Sequence, residues 1–244
     1  MTQQQTGSTR LVRRRRSPQA RLLGVVGELL ITTGVVVALF VAYSLWWTDV
    51  LASRQADQAG QHLRQTWTAP APGDAASSVP GYQPGDGIGF LHVPALGKGN
   101  SVLIKMGTDP DVLNEGVAGV YTQPYAAAMP WDQSGNFALA AHRDGHGAKF
   151  HDLDAVDRGD SIVVETRDRW YVYRVDAVLE ETSKYDTGIV APVPEKAGYA
   201  KPGHYITLTT CTPVYTSRYR MAVWGSLVRV DPVDAERTPP AELR

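Results

Sequence analysis

The hydrophobic pattern changes character several times along the chain. From Leu22 to Trp47 the run LLGVVGELLITTGVVVALFVAYSLWW is apolar apart from Glu28 and a few Thr and Ser residues. Its stretch from Leu29 to Trp47 is 19 residues long and carries no charge. A helix needs about 20 residues to cross the hydrocarbon core of a bilayer, so residues 22–47 are predicted to span a membrane. Residues 48–68, TDVLASRQADQAGQHLRQTWT, are polar and read as a helical or frayed stalk extending that segment. Residues 69–86 are rich in Pro, Gly, Ala and Ser. Such a composition cannot bury a core, and it predicts a linker that lets the next domain move.

From Gly87 to about Val230 short apolar runs recur between turn signals. They are IGFLHV, SVLIKMG, NFALAAH, DSIVVET, RWYVYRVDAVLEET, YITLTT and YRMAVWGSLVRV. Their Val, Ile, Tyr and Trp content is that of strands. Gly159-Asp160 and Pro202-Gly203 are turn markers. DPDVLNEGV fits one short helix, with Asp109 as N-cap and Pro110 as its first residue. Seven or eight strands with few helices predict an all-β domain, a closed or nearly closed barrel. Residues 231–244 lack a hydrophobic pattern and are expected to be a disordered tail.

Charge adds an orientation. Residues 1–21 hold six arginines and no acid, although the whole chain has a formal net charge of −1. A basic segment before the apolar run and Asp49 after it place the N-terminus in the cytoplasm and residues 48–244 outside. Tyr43, Trp46 and Trp47 sit at the far end of the run, where aromatic rings favour the interface. A net acidic main body argues against nucleic acid as a partner.

Cys211 is the one cysteine in 244 residues. It can form no intrachain disulfide, and no thiolate metal site can be built from it alone, so neither a metal nor a cofactor is expected. It ends the run YITLTTC and is followed by Thr212-Pro213. Its sulfur is therefore expected at a strand end beside a loop, a position open to substrate. A lone cysteine is commonly a buried, inert side chain. A free thiol on an exported domain is exposed to oxidation and needs a reason to persist.

A thiol that attacks an amide needs a proton donor for the leaving amine and a group that stabilises the oxyanion. Six histidines are present: His62, His92, His142, His146, His151 and His204. His62 lies in the stalk, and His92 and His204 lie in or beside ordinary strands. His142 ends the run NFALAAH and opens the glycine-containing loop RDGHGAKF, with His146 and His151 close by. Spacing alone does not choose among these three. Arg220 opens the last strand, nine residues after Cys211, and returns to the sulfur if residues between them form a hairpin loop. Arg218 has the same strand parity and competes with it.

TLTTCTPVYTSRYR, Thr207 to Arg220, resembles the sortase signature of TLxTC followed by an arginine about nine positions later. GNFALAAHRDGHGAKFHDLDAVDRGDSIVV, Gly135 to Val164, resembles the histidine region of the same family. GVYTQPYAAAMP, Gly119 to Pro130, is similar to the stretch that precedes it in class E sortases of high-GC Gram-positive bacteria. The resemblance covers roughly residues 85–230, with the histidine and cysteine motifs in order about seventy residues apart.

The resemblance implies an eight-stranded sortase-type barrel over residues 87–230. It implies His142, Cys211 and Arg220 as catalytic residues, and Tyr121 and Thr210 as substrate-binding residues. Two positions depart from the common pattern: Thr212 stands where many relatives have histidine, and Ala141 where many have glycine. The implied reaction cleaves a C-terminal LAxTG-type sorting signal between Thr and Gly through a thioacyl intermediate. The implied partners are secreted proteins bearing that signal and a cell-wall precursor amine resembling that of lipid II. Two rivals remain at this point: a pilin-polymerising sortase, and a membrane-tethered β-barrel that binds without chemistry and keeps Cys211 buried.

Overall fold

The computed structural model describes residues 18–68, 81–97 and 99–244. Most of the basic segment and most of the expected linker, residues 69–80, lie outside the described residues. The chain divides into two units, residues 1–45 and 46–244. A single helix, α1 (Pro18–Thr68), runs through the described part of the first unit and into the second. It is long and apolar enough to cross a membrane by length and composition. Its large side chains from Leu22 to Phe40 stand exposed.

The second unit is built on eight strands, β1 (Gly87–His92), β2 (Ser101–Met106), β3 (Ala118–Val120), β4 (Gly135–Ala140), β5 (Ser161–Glu165), β6 (Arg169–Ser183), β7 (His204–Thr212) and β8 (Tyr219–Pro232). They close into a barrel in the order β1-β2-β3-β4-β7-β8-β6-β5. The seven apolar runs of the sequence become seven of these strands. β3 has three residues, too few to show a period, and is legible through its pairing with β2 and β4. The expected short helix forms as α2 (Pro110–Leu113), with Pro110 at its first position.

Side chains alternate across each strand, and in a closed barrel alternation divides residues between core and outer face. Leu91, Ile104, Val120, Phe137, Leu139, Val164, Tyr173, Ile206, Leu208 and Val223 fill the interior. The opposite parity faces outward and is covered in two places. Residues 46–68 of α1 cover β1 and β2: Ala56, Ala59, Leu63 and Trp67 pack with Phe90, Leu103, Val112 and Val117. The connection from β6 to β7 covers β4 and β8, packing Ile189 and Val190 on Ala138, Ala222 and Trp224. Trp224 Nε1 donates to the Ile189 carbonyl at 2.8 Å and pins that connection.

Two expectations are corrected here. The stretch after the apolar run is the helical alternative, but it is packed on the domain and is not a free stalk, with small residues at helical spacing and Leu63 and Trp67 lying against the barrel. The tail is not disordered. Val233 and Leu243 pack on Val163, Trp170 and Val172, and Arg237 bonds the Thr166 and Arg167 carbonyls. Arg229 of β8 also holds Glu242 at 2.8 and 3.1 Å, and such scattered single contacts form no sequence pattern.

Both additions meet at Glu165, whose side chain is 2% exposed. Its carboxylate accepts hydrogen bonds from Arg64 of α1 at 2.9 and 3.1 Å and from Arg237 of the tail at 2.9 and 3.2 Å. His92 Nε2 of β1 lies 3.0 Å from it. Burial pushes this carboxyl up, but the His92 hydrogen bond and the charges of Arg64 and Arg237 outweigh it and hold the group below the ordinary glutamate value. A carboxyl lowered in the folded state adds stability above its unfolded value of about 4.3 and loses it as pH falls through the folded value. Removing one partner of a buried pair costs about 3–5 kcal/mol; Arg64 and Arg237 can turn toward water, so the low end applies. Thermal unfolding of Glu165→Ala should therefore show a loss of about 3 kcal/mol at pH 7, and its midpoint should fall less than that of the wild type between pH 5 and pH 3.

Candidate active site

The outer face of β7 and its neighbours collects the sequence-predicted residues. Cys211 lies on β7 directly across from Arg220 of β8. Residues opposite each other on an antiparallel pair share a face, with Cβ atoms about 4.5–5.5 Å apart. Cys211 is half-buried and unpaired as a thiol. The Arg220 Nη1 is held by the carbonyls of Ser217 at 3.3 Å and Tyr219 at 3.0 Å. Arg218 lies before the strand with its guanidinium 5.7 Å from the Tyr219 ring.

β4 runs parallel to β7 with Ala140 beside Thr209. Two more bonds continue this register past the end of β4: Ala141 N donates to the Thr209 carbonyl at 3.3 Å, and Thr210 Oγ1 donates to the Ala141 carbonyl at 2.8 Å. Two residues on from that pair stand His142 and Cys211. Continued by these bonds, the parallel register sets the backbone of His142 beside β7 near Cys211. His146 stacks obliquely beside it, ring centroids 5.2 Å apart. His151 turns away, its Nδ1 2.8 Å from the Arg143 carbonyl.

Thr210 is not part of this outer face. It shares the parity of Ile206 and Leu208, is 3% exposed, and spends its hydroxyl on Ala141. Period-two alternation turns its side chain to the core, away from the face that carries Cys211. Thr209, one residue earlier, has the outward parity. Its hydroxyl donates to the Leu139 carbonyl at 3.1 Å, so the Tyr121 hydroxyl donates to Thr209 Oγ1 at 2.9 Å. Burial pushes the Tyr121 phenol up, and its charge interactions reach both Arg220 and Cys211. Tyr121 therefore borders the same site.

Asn114, from the turn after α2, was not singled out by sequence. Its Oδ1 lies 2.9 Å from His142 Nε2. As an acceptor it fixes the proton on Nε2 and leaves Nδ1 free to exchange one. No sequence signal marks it, since the contact joins residues 28 positions apart. Thr212 keeps its side chain buried, 3.3 Å from Arg143 Nη1. Arg143 also pairs with Asp154 at 2.7 Å. Among the described residues no group of three or more His, Cys, Asp and Glu side chains is arranged to hold a metal ion.

Burial lowers the His142 pKa most, the positive charge on His146 lowers it further, and Asp144 opposes both. This makes the imidazolium scarce at neutral pH. The arrangement is a thiol with a histidine on one side and an arginine on the other. That set can transfer an acyl group through sulfur.

Residues 91–228 match a family model described as the sortase domain. With the closed eight-stranded barrel around it, the chain belongs to the sortase family of transpeptidases. Its similarities lie with class E. Sortase SrtE2 of Streptomyces coelicolor is 55% identical over 227 residues, covering 92% of this chain and 89% of the relative. Sortase SrtE1 of the same organism is 41% identical over 225 residues, covering 90% of this chain and 61% of the relative. The crystal structure of sortase E1 from Streptomyces coelicolor, with a tripeptide in its active site, superposes with a TM-score of 0.62 at 41% identity. It covers 67% of this chain and 99% of that one. Sortase E from Streptomyces avermitilis gives a TM-score of 0.59 at 35% identity, covering 67% of this chain and 100% of that one.

The histidine geometry has a direct check. The His142 ring, followed by NMR, should titrate below the ordinary value of about 6.5. Its midpoint should rise in His146→Ala, because a neighbouring positive charge is removed; an unchanged or lower midpoint contradicts the arrangement.

Proposed function

We propose that this chain is a membrane-anchored class E sortase that cleaves an LAxTG-type sorting signal between Thr and Gly and joins the protein to a cell-wall precursor amine. The observation that carries this reading is the register placing Arg220 across from Cys211 on the outer face, with His142 on the other side. Cys211, as a thiolate paired with the His142 imidazolium, attacks the threonine carbonyl, and the Thr–Gly bond then breaks to leave a thioacyl-enzyme, from which the incoming amine later displaces the thiolate. Arg220 donates to the oxyanion as the carbonyl becomes tetrahedral. His142 as imidazolium gives its proton to the departing glycine amine, then accepts one from the incoming amine. Tyr121 has already donated its hydroxyl proton to Thr209, so its oxygen is left as an acceptor for an N–H of the signal.

An arrangement in which the imidazolium is the minor form suits a slow enzyme that releases its acyl group to a bound amine. The N-terminus is cytoplasmic and residues 48–244 face outward in this reading, which brings the site to signal and acceptor on the outer surface. The absence of a carboxylate bonded to His142 among its described contacts leaves Asn114 as the group that orients it.

The full chain in detergent, given an LAxTG peptide and a free amine, is expected to yield the joined product. Cys211→Ala should abolish cleavage, and His142→Ala and Arg220→Ala should each lower kcat/KM by at least about 100-fold. Cleavage retained by Cys211→Ala would overturn the assignment.

A further inference from the structure

The loop that follows His142 has an unusual backbone. Gly145, His146, Gly147 and Ala148 all have positive φ, at 65°, 48°, 78° and 38°. Left-handed conformations cost a residue with a Cβ about 1 kcal/mol, and they persist where surrounding contacts over-determine them. Part of that support is internal: Ala148 N donates to the Gly145 carbonyl at 2.9 Å, and Phe150 N to the His142 carbonyl at 3.1 Å. The rest comes from α1. Asp49 Oδ1 accepts the Gly147 N–H at 3.0 Å, across 98 positions of sequence. A Cβ built on Gly147 would lie 3.3 Å from Ser53 Oγ, so the helix and the loop are in close contact there.

The same turns of α1 touch the second segment that holds His142. Gly116, two residues after Asn114, has φ 74°, and a Cβ there would lie 3.2 Å from both the Ala52 and the His146 carbonyl oxygens. The helix backbone, the Asn114 turn and the histidine loop thus meet at one glycine. Ala52 is 2% exposed and Ala56 is 6% exposed, so these turns are packed against the domain. Asn114 fixes the His142 ring, His146 lies against it, and α1 braces the backbones carrying both.

We infer that residues 49–56 of α1 belong to the support of the active site, and that Asp49 is a positioning residue that acts on His142 through the 145–148 loop. Asp49 stands two residues beyond Trp47, the end of the apolar run of the same helix. It touches no reacting atom. Its carboxylate holds one backbone N–H of a loop that otherwise has alternatives to its left-handed path. Losing that hold lets the loop relax and moves His146 and the His142 ring together, while the β7–β8 ladder that carries Cys211 and Arg220 is untouched. The effect falls on proton transfer, and signal binding is spared. The inference rests on the reading of His142 as the proton donor.

The test uses the full chain in detergent, with an LAxTG peptide and an amine. Asp49→Ala is expected to lower kcat about ten-fold and to leave KM within about two-fold. Asp49→Asn keeps an acceptor oxygen and is expected to restore most of kcat. Thermal unfolding of each variant is measured alongside. If Asp49→Ala keeps kcat within two-fold of the wild type, the inference fails. It fails equally if Asp49→Ala and Asp49→Asn lose the same activity in step with a fall in thermal midpoint, since that is a fold effect only. His142→Ala serves as the control. Should it remain active, the reading of His142 itself falls, whatever Asp49 does.

Discussion

The alternation of side chains along β7 governs this molecule. The barrel is closed, so every β7 residue faces either the core or the outer face. Ile206, Leu208 and Thr210 point inward and Thr207, Thr209 and Cys211 outward. Pairing with β8 then leaves no freedom for Arg220, which must stand across from the thiol. A slip of one residue would bury Cys211 and expose Leu208, and the loss of core burial opposes that strongly. The chemical arrangement is thus held in place by hydrophobic packing on the reverse side of the same strands.

His142 needs a different kind of control, because it lies just beyond the last ladder residue of β4. Backbone and hydroxyl bonds from Thr209 and Thr210 carry the register far enough to bring it beside β7. Thr210 thus serves the site from the inside: it ties the chain just before the histidine to the strand just before the cysteine. Beyond that point a tight loop, an asparagine and a helix from far earlier in sequence complete the support. Glu165 performs a comparable task on β5, tying α1 and the tail to the barrel with one carboxylate. α1 therefore runs from an apolar span into a domain component, and the second unit includes it from residue 46 onward.

The strands were legible because burial on one face writes a period of two, and long strands repeat it. β3 escaped because three residues cannot show a period. Cys211 and Arg220 were legible through their motif. Only the resemblance separates His142 from His146 and His151 in the sequence; the bonds that extend the β4–β7 register set its backbone nearest to β7. The resemblance implies a substrate-binding part for Thr210, while strand parity turns its side chain to the core, where it bonds the Ala141 carbonyl. The packing of this stretch of α1 is hard to read because Ala52, Ala56 and Gly60 permit close approach but hardly register as hydrophobicity, and Leu63 and Trp67 are too few to make a pattern. Asn114 and Asp49 act through single long-range contacts, and nothing local in a sequence encodes those.

The scarcity of the His142 imidazolium ties these observations to the chemistry. Burial and His146 both push its proton off, so in the proposed reaction acylation would depend on a minor form held in the correct place. The most direct measurement of the account is intact-mass spectrometry of the full chain, acid-quenched during turnover of an LAxTG peptide without added amine. The account predicts a fraction of protein heavier by the acyl fragment ending in threonine, with the adduct mapped to Cys211. Peptide cleavage that proceeds while Cys211 remains a free thiol would contradict it.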